Sequence, residues 1–171
     1  MIRSCIEADI PEMLSVINNA AQVYKGAIPS DRWQDPYMPR EELLDQISEG
    51  LRFWGWVDEA GMAGVMGLQP REGVTLIRHA YVLTSRQGQG IGSGLLKHLQ
   101  AMADQPLLVG TWVAAGWAIR FYTRHGFQLV GEAEKERLLR LYWSIPQRQV
   151  ETSVVLADNA WVLRRGSGSR A

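Results

Sequence analysis

The hydrophobic pattern changes its period several times along the chain, and each change predicts a new element. After Asp9, apolar residues recur at helical spacing, and they do so again around Leu95 and Leu99. Short apolar runs bounded by Gly, Pro or Asp predict strands. The pattern predicts strands at 2–6, 51–57, 63–68, 74–84, 107–113, 127–131 and 152–156, and helices from Asp9 to about Ala21 and at 39–49, 91–103, 116–125 and 132–143.

This order of elements, β-α-α-β-β-β-α-β-α-β-(α)-β, predicts a mixed α/β layered domain. The sequence has no internal repeat and no linker between folded segments, so we predict one domain over residues 1–165. Residues 25–39 contain three prolines and a glycine, which predict a loop between the first two helices. Residues 166–171 begin with Gly-Ser-Gly-Ser and are predicted to be a flexible tail.

Composition and charge narrow the function classes. The 171 residues carry no net charge, which argues against a nucleic-acid partner. No apolar run approaches the roughly 20 residues that span a bilayer, and the first residues lack a signal-peptide core. The single cysteine, Cys5, excludes an internal disulfide. The three histidines lack metal-ligand spacing. We therefore expect a cytoplasmic protein without a membrane segment or a metal.

A glycine-rich turn between the fourth strand and a helix is the first candidate site. Such a turn presents backbone N–H groups to an anion, and glycines let the backbone approach it closely. The sequence Gln87-Gly88-Gln89-Gly90-Ile91-Gly92-Ser93 lacks the Lys-Ser or Lys-Thr of a P-loop and the third glycine of a dinucleotide fingerprint. Its pattern is Gln-x-x-Gly-x-Gly, which resembles the acyl-CoA loop of the GNAT superfamily of N-acetyltransferases.

A second segment strengthens this resemblance. The stretch from Ala118 to Phe127 reads A-x-x-F-Y-x-x-x-G-F, which is similar to the other GNAT signature, and it follows the loop by about 30 residues. The resemblance covers roughly residues 1–131 in element order. It implies a GNAT-like mixed sheet with splayed central strands and transfer of an acetyl group from acetyl-CoA. It also implies these cofactor-binding residues: Val82, Leu83, Thr84, Gln87, Gly88, Gln89, Gly90, Gly92, Ser93, Phe121 and Arg124.

The resemblance implies roles for three further groups in catalysis. Tyr122 would donate a proton to the leaving thiolate, with a core tyrosine as the alternative. The backbone N–H of Val82 would bind the thioester oxygen. The general base is open, because Leu76 stands where relatives often have Glu and cannot take a proton. His79 is a candidate if a bulge turns it toward the site, while a structural histidine, a water chain and the remote Glu132 and Glu134 are alternatives.

The acceptor is expected to be a primary amine of a small molecule that receives the acetyl group directly. Candidate binding residues combine carboxylates with aromatic faces, which suit a cation, and one arginine for an anionic group. They are Asp31, Trp33, Asp35, Tyr37 and Arg78. A protein lysine or N-terminus is an alternative acceptor.

Two departures from the GNAT pattern leave other functions open. Ala115 stands where relatives commonly have Asn, and Leu76 where they often have Glu. A non-catalytic acyl-CoA binding or sensing module is therefore an alternative. The resemblance also allows a homodimer. The helix inserted in 132–146 is open between a lid, a dimer contact and a surface insertion.

Overall fold

The computed structural model describes residues 1–168, and the predicted order of elements is confirmed within them. Four short 3₁₀ turns accompany the strands and helices, at Glu7–Asp9, Gln22–Tyr24, Ser30–Arg32 and Thr84–Arg86. The strands and helices are β1 (Ile2–Ser4), α1 (Ile10–Ala21), α2 (Arg40–Ser48), β2 (Arg52–Asp58), β3 (Gly61–Arg71), β4 (Val74–Val82), α3 (Ile91–Met102), β5 (Leu107–Trp112), α4 (Gly116–Arg124), β6 (Gln128–Leu129), α5 (Glu132–Tyr142), α6 (Gln147–Glu151), β7 (Ser153–Ala157) and α7 (Asn159–Gly168).

Two helices near the C-terminus, α6 and α7, were not part of the predicted order. Helix α7 begins at Asn159 and includes residues 166–168, which are the first half of the predicted tail. Residues 169–171 lie outside the described residues. The chain forms two compact units, and it passes from one to the other between Pro70 and Arg71 in β3, between Leu76 and Ile77 in β4, and after Met102 at the end of α3.

The first unit contains Met1–Pro70 and Ile77–Met102, with its strands in the order β1-β2-β3-β4. The pairs β1–β2 and β2–β3 are antiparallel, with a register shift between Trp56 and Val57. The apolar face of α1 is buried against α2 and the sheet. This core includes Ile10, Met13, Ile17, Leu43, Phe53 and Val65.

Two glycines allow α3 to approach the sheet of the first unit. A Cβ on Gly64 of β3 would lie 2.8 Å from Cγ2 of Ile91, the first residue of α3. A Cβ on Gly94 of α3 would lie 2.9 Å from the ring of Trp56. Both distances are shorter than real Cβ contacts, so only glycine permits this packing. The close fit fixes where the helix begins, directly after the glycine-rich turn.

The second unit contains Arg71–Leu76, which include the first three residues of β4, and the described chain from Ala103 onward. From that part of β4, the strand order continues through β5 and β7 to β6. Strand β7 is antiparallel to both β5 and β6, with Val109 opposite Leu156 and Gln128 opposite Ala157. The predicted α/β class with a seven-stranded sheet is confirmed, while the splay of the central strands stays a prediction.

The inserted helix α5 belongs to the core of the second unit. Leu138 and Leu139 are fully buried in a cluster with Val74, Leu108 and Trp143. The side chain of Lys135 is also buried, and its Nζ donates to the carbonyl of Val150 at 3.0 Å. The insertion is therefore a core element of this unit, which disagrees with the idea of a plain surface insertion.

Candidate active site

The glycine-rich turn has the backbone conformation that its sequence predicts. Gly88 and Gly90 have φ of +77° and +79°, in the left-handed region that favours glycine. Helix α3 begins directly after them, and its N–H···O ladder starts with Gly94 donating to the Gly90 carbonyl at 2.9 Å. The N–H groups of the first helical turn have no acceptor within the helix, so this end of α3 favours an anion.

The space around this turn fits a diphosphate. A Cβ added at Gly88 or Gly90 would meet no non-neighbouring protein atom within 4 Å. Residues 87–90 are all exposed. Open space beside left-handed glycines and a helix N-terminus is the arrangement that phosphate groups occupy in other proteins. The residues present therefore fit the phosphate end of an acyl-CoA.

The end of β4 has fewer free donors than the sequence analysis expected. The Leu83 N–H donates to the Ala63 carbonyl, and the Thr84 N–H donates to Oδ1 of Asn19, each at 2.9 Å. These two N–H groups are engaged within the protein and are not available to a pantetheine chain, while contact of Leu83 and Thr84 with the cofactor through their other atoms stays a prediction. The carbonyl of Val82 accepts a hydrogen bond from the Gln87 amide at 3.4 Å, so Gln87 ties the turn to the strand. The oxyanion role of the Val82 N–H stays a prediction.

His79 interrupts the regular geometry of β4. Its φ of +54° is unusual for a residue other than glycine and typical of a bulge. The ring is stacked between Phe53 and Tyr81, with centroids 6.1 and 6.3 Å away. Its Nε2 lies 2.6 Å from Oε1 of Gln46. The Gln46 amide nitrogen donates to Glu42, so the amide oxygen faces the ring and Nε2 carries the hydrogen.

The environment of His79 does not favour the role of general base. Burial, and secondarily the cation of Arg78, lower the pKa of His79 to about 3. An imidazole with this pKa stays neutral near pH 7 and has little tendency to take a proton from an ammonium group. The bulge that the sequence analysis required is present, yet the chemistry expected from it is disfavoured.

Arg78 is held by the protein itself. Its guanidinium donates to Oε1 of Gln69 at 2.9 Å, and Gln69 is fully buried on β3. The Gln69 amide in turn donates to the Glu49 carbonyl at 3.4 Å. Arg78 therefore has a structural partner, and its predicted contact with an anionic substrate stays a prediction.

Four aromatic rings meet near the predicted acceptor loop. Trp33 is stacked on Tyr37 at 5.8 Å, and Tyr37 lies 5.6 Å from Tyr24 and 6.5 Å from Tyr81. Burial, followed by the neighbouring Tyr37 and Tyr24, raises the pKa of the Tyr81 hydroxyl. These four rings are called the aromatic cluster below. Asp31 and Asp35 lie on the same loop and are exposed.

Sequence reasoning missed two members of the aromatic cluster. Tyr24 follows α1, and Tyr81 lies on β4, so no local motif joins either of them to the loop. The one available signal was the position of Tyr81 two residues after His79, which places both on one face of a strand. The loop itself is tied to α1, because Asn18 accepts from the Met38 N–H at 2.7 Å and donates to its carbonyl at 3.0 Å.

The second signature segment forms α4 and the turn after it, in the second unit. Tyr122 is buried, and its ring meets Phe121 and Phe127 edge-on at 5.1 and 5.5 Å. Arg124 is exposed. Ala115, at the position where relatives commonly have Asn, is the fully buried N-cap residue of α4. The catalytic role of Tyr122 and the cofactor contacts of Phe121 and Arg124 stay predictions.

Two features are absent from the described residues 1–168. No group of three or more His, Cys, Asp or Glu side chains there is arranged to hold a metal ion. Across the same residues, none of the helices combines the length and the apolar character needed to cross a membrane.

The sequence and the fold were compared with known proteins. Residues 49–129 match the family model described as an acetyltransferase (GNAT) domain. Over these residues the sequence is that of a GNAT acetyltransferase domain. The resemblance predicted from the two motifs is confirmed, and so is the predicted enzyme class, an acetyl-CoA-dependent acyltransferase. Comparison with curated proteins gave no match.

Solved structures with a similar fold include three acetyltransferases from different organisms. A GNAT acetyltransferase from Staphylococcus aureus Mu50 has a TM-score of 0.67 at 16% identity, with 94% of this chain and 98% of that chain covered. The PaiA N-acetyltransferase from Thermoplasma acidophilum, in complex with coenzyme A, has a TM-score of 0.68 at 15% identity, with 92% of this chain and 97% of that chain covered. The ribosomal-protein-S18-alanine N-acetyltransferase from Escherichia coli has a TM-score of 0.64 at 17% identity, with 92% of each chain covered. At these identities the likeness shows the shared fold.

Proposed function

We propose that this GNAT protein transfers an acetyl group from acetyl-CoA directly to a primary amine of a small molecule. The observation that carries the proposal is the glycine-rich turn, with left-handed Gly88 and Gly90 and open space before the N-terminus of α3. The PaiA structure in complex with coenzyme A supports the same cofactor for this fold.

The proposed cofactor site uses backbone more than side chains. The N–H groups of Gly92 and Ser93, in the first turn of α3, would bind the diphosphate together with the turn residues 87–90. Gln87 holds the turn to Val82 and thereby fixes the distance between the phosphate end and the strand end. Acetyl-CoA would supply a thioester, whose acyl carbon is open to attack by a neutral amine.

Two groups are proposed to assist the transfer. The Val82 N–H would donate a hydrogen bond to the oxygen on which negative charge develops, a contact worth about 2.7–4 kcal/mol in other enzymes. Tyr122 would donate its phenolic proton to the departing thiolate, a role that rests on its position in the F-Y motif. Because His79 has a pKa of about 3, we propose that the proton of the ammonium group leaves through water.

The acceptor amine is proposed to approach the aromatic cluster. Trp33 and Tyr37 present aromatic faces, and Asp31 and Asp35 bring negative charge to the same loop. A cation is attracted to both kinds of group. A protein acceptor is the alternative, and it is favoured by the Escherichia coli neighbour, which is named for an alanine of a ribosomal protein. A cytoplasmic location and a homodimer remain part of the proposal.

The test measures free thiol released from acetyl-CoA in the presence of single amines and of short peptides with a free N-terminus or one lysine. The proposal predicts release with at least one small amine and weaker release with the peptides. Release with peptides alone would support the protein acetyltransferase. Binding of acetyl-CoA without thiol release from any acceptor would support the non-catalytic binding module.

A further inference from the structure

The turn that carries the proposed function is anchored at both ends, and Gln87 also ties it to the carbonyl of Val82. Before it, the Arg86 N–H donates to the Leu83 carbonyl at 2.8 Å in a 3₁₀ turn. After it, Ile91, the first residue of α3, is buried. Between these anchors, residues 87–90 are exposed, and two of the four are glycines. Glycine has more backbone freedom than other residues, so a segment of this composition loses much entropy when a ligand orders it, unless other contacts restrain it beforehand.

A series of side-chain contacts also restrains Gln89, in the middle of the turn. Arg86 donates from Nε to Oε1 of Gln89 at 3.1 Å, and Gln89 lies between the two left-handed glycines. The same guanidinium donates from its NH2 group to Oδ2 of Asp58 at 2.5 Å. Arg86 thus holds Gln89 through Nε and is held by Asp58 through Nη2, an arrangement that needs the fork of donors found in arginine.

Asp58 is itself fixed in a rigid element. It is the last residue of β2, and its Oδ1 accepts from the Ala60 N–H at 3.0 Å in the hairpin turn that leads to β3. Hydrogen bonding by Arg86, and then by Ala60, lowers the pKa of the Asp58 carboxyl. The carboxylate is therefore charged at neutral pH and joins the hairpin to the glycine-rich turn.

We infer that Asp58 is a positioning residue for cofactor binding, acting through Arg86 on Gln89 to hold the turn in its binding conformation. The inference rests on the proposed function, because it assumes that coenzyme A binds at this turn. It assigns a role to the β2–β3 hairpin, which lies outside the glycine motif.

The negative charge of Asp58 makes two explanations predict opposite changes in coenzyme A affinity for Asp58→Asn. A carboxylate near a diphosphate repels it, so Coulomb's law alone predicts that Asp58→Asn binds coenzyme A more tightly. The positioning role predicts weaker binding, because the neutral amide no longer holds Arg86 as strongly. We expect the dissociation constant of coenzyme A, measured by calorimetry, to rise about fivefold in Asp58→Asn.

Matched variants separate positioning from general charge effects. Glu59→Gln removes the same charge at the neighbouring, exposed position, and it should not weaken binding. Arg86→Lys keeps the positive charge but loses the planar fork that joins Gln89 to Asp58, so it should weaken binding as Asp58→Asn does. In a Gln89→Ala background, Asp58→Asn should not weaken coenzyme A binding further, because the contact between Arg86 and Gln89 is already lost. With an accepted amine, Asp58→Asn should raise the KM for acetyl-CoA and leave kcat unchanged.

The outcomes divide clearly. Equal or tighter binding by Asp58→Asn overturns the inference, and so does equal weakening by Glu59→Gln or a full additional loss in the Gln89→Ala background. Failure of the unaltered protein to bind coenzyme A would instead overturn the proposed function. Binding by the unaltered protein with no change in Asp58→Asn would overturn the inference alone.

Discussion

At the scale of single residues, His79 shows how position changes chemistry. Sequence pattern alone made it a candidate base, because its ordinary pKa of 6.5 suits proton transfer near neutral pH. In the fold, its ring lies between Phe53 and Tyr81 and donates to Gln46, and burial lowers its pKa to about 3. The same side chain then becomes a neutral hydrogen-bond donor.

The lowered pKa of His79 predicts a pH dependence of stability. Between pH 6.5 and about 3, the His79 imidazole binds a proton more readily in the unfolded chain than in the folded protein. The contribution of His79 to the free energy of unfolding is therefore fully present above pH 6.5 and is lost as the pH falls through this window. His79→Asn, which tolerates a positive φ, should therefore flatten the fall in unfolding free energy between pH 7 and 5. Urea unfolding at both pH values measures this.

The unaltered protein provides the reference for that measurement. Because both proteins are unfolded under the same conditions, the difference in their pH dependence isolates the contribution of His79. A pH dependence that His79→Asn leaves unchanged would mean that His79 titrates alike in the folded and unfolded chains.

A second prediction at this scale concerns Tyr122. If its phenol protonates the leaving thiolate, Tyr122→Phe should lower kcat about a hundredfold or more and leave the dissociation constant of coenzyme A nearly unchanged. Tyr142→Phe is the matched control, because it removes a hydroxyl that donates to the Glu72 carbonyl. Steady-state kinetics and calorimetry on folded variants decide the point. An unaltered kcat in Tyr122→Phe would remove it from the mechanism.

Some site residues could be predicted from the sequence and others could not. Gly88 and Gly90 were predictable, because positive φ is a local property that the amino acid itself reveals. Tyr24 and Tyr81 were not, since their contact with Tyr37 joins segments more than ten residues apart. The same is true of Asn19, whose amide oxygen accepts a hydrogen bond from the Thr84 N–H, 65 positions away in the sequence.

At the scale of elements, the packing of α3 depends on a glycine in a neighbouring strand. Ala at position 64 would place its Cβ 2.8 Å from Cγ2 of Ile91, a buried and β-branched residue with little freedom to move. We expect Gly64→Ala to lower the free energy of unfolding by about 1 kcal/mol or more and to weaken coenzyme A binding by shifting the start of α3.

The matched control for Gly64→Ala is a glycine in open space. A Cβ on Gly166, in α7, would meet no non-neighbouring atom within 4 Å, so Gly166→Ala should not destabilise the protein. Chemical unfolding of both variants tests the comparison. Equal stability of Gly64→Ala and the unaltered protein would show that α3 adjusts without cost.

The buried lysine of α5 gives a prediction for the inserted helix. Nζ of Lys135 donates to the Val150 carbonyl at 3.0 Å and lies 2.6 Å from a carboxylate oxygen of Glu132. Lys135→Met keeps the apolar stem but leaves that carbonyl without its donor, which should cost about 1–3 kcal/mol in unfolding free energy. Glu132→Gln should cost far less, because Glu132 is 77% exposed. Similar losses in the two variants would contradict this account.

The elements that the sequence predicted well are those whose own periodicity identifies them. Strand β4 and helices α3 and α4 lie within a few residues of their predicted ranges. Helix α7 was missed because Gly166 and Gly168 lower its helix propensity. Contacts distant in sequence accompany it instead, since Arg164 donates to the Gly73 carbonyl at 2.7 Å and Trp161 is buried.

At the scale of the whole molecule, the segment that matches the family model explains why the sequence predicted the enzyme class but not the arrangement of the acceptor loop. Residues 49–129 include both motifs, the glycine-rich turn and α4, so the enzyme class followed from the sequence. The proposed acceptor residues on the loop 25–39 lie outside that segment. Their arrangement depends on contacts of Trp33 and Tyr37 with Tyr24 and Tyr81, which only the folded protein brings together.

The most direct test of the account is a calorimetric titration of coenzyme A into the unaltered protein and Gly90→Val. A valine side chain at position 90 would fill the open space proposed for the diphosphate. Gly50→Val is the control, because Gly50 also has positive φ and open surroundings. The account predicts one-to-one binding by the unaltered protein and Gly50→Val, and loss of binding in a folded Gly90→Val. Unchanged affinity in Gly90→Val would contradict it.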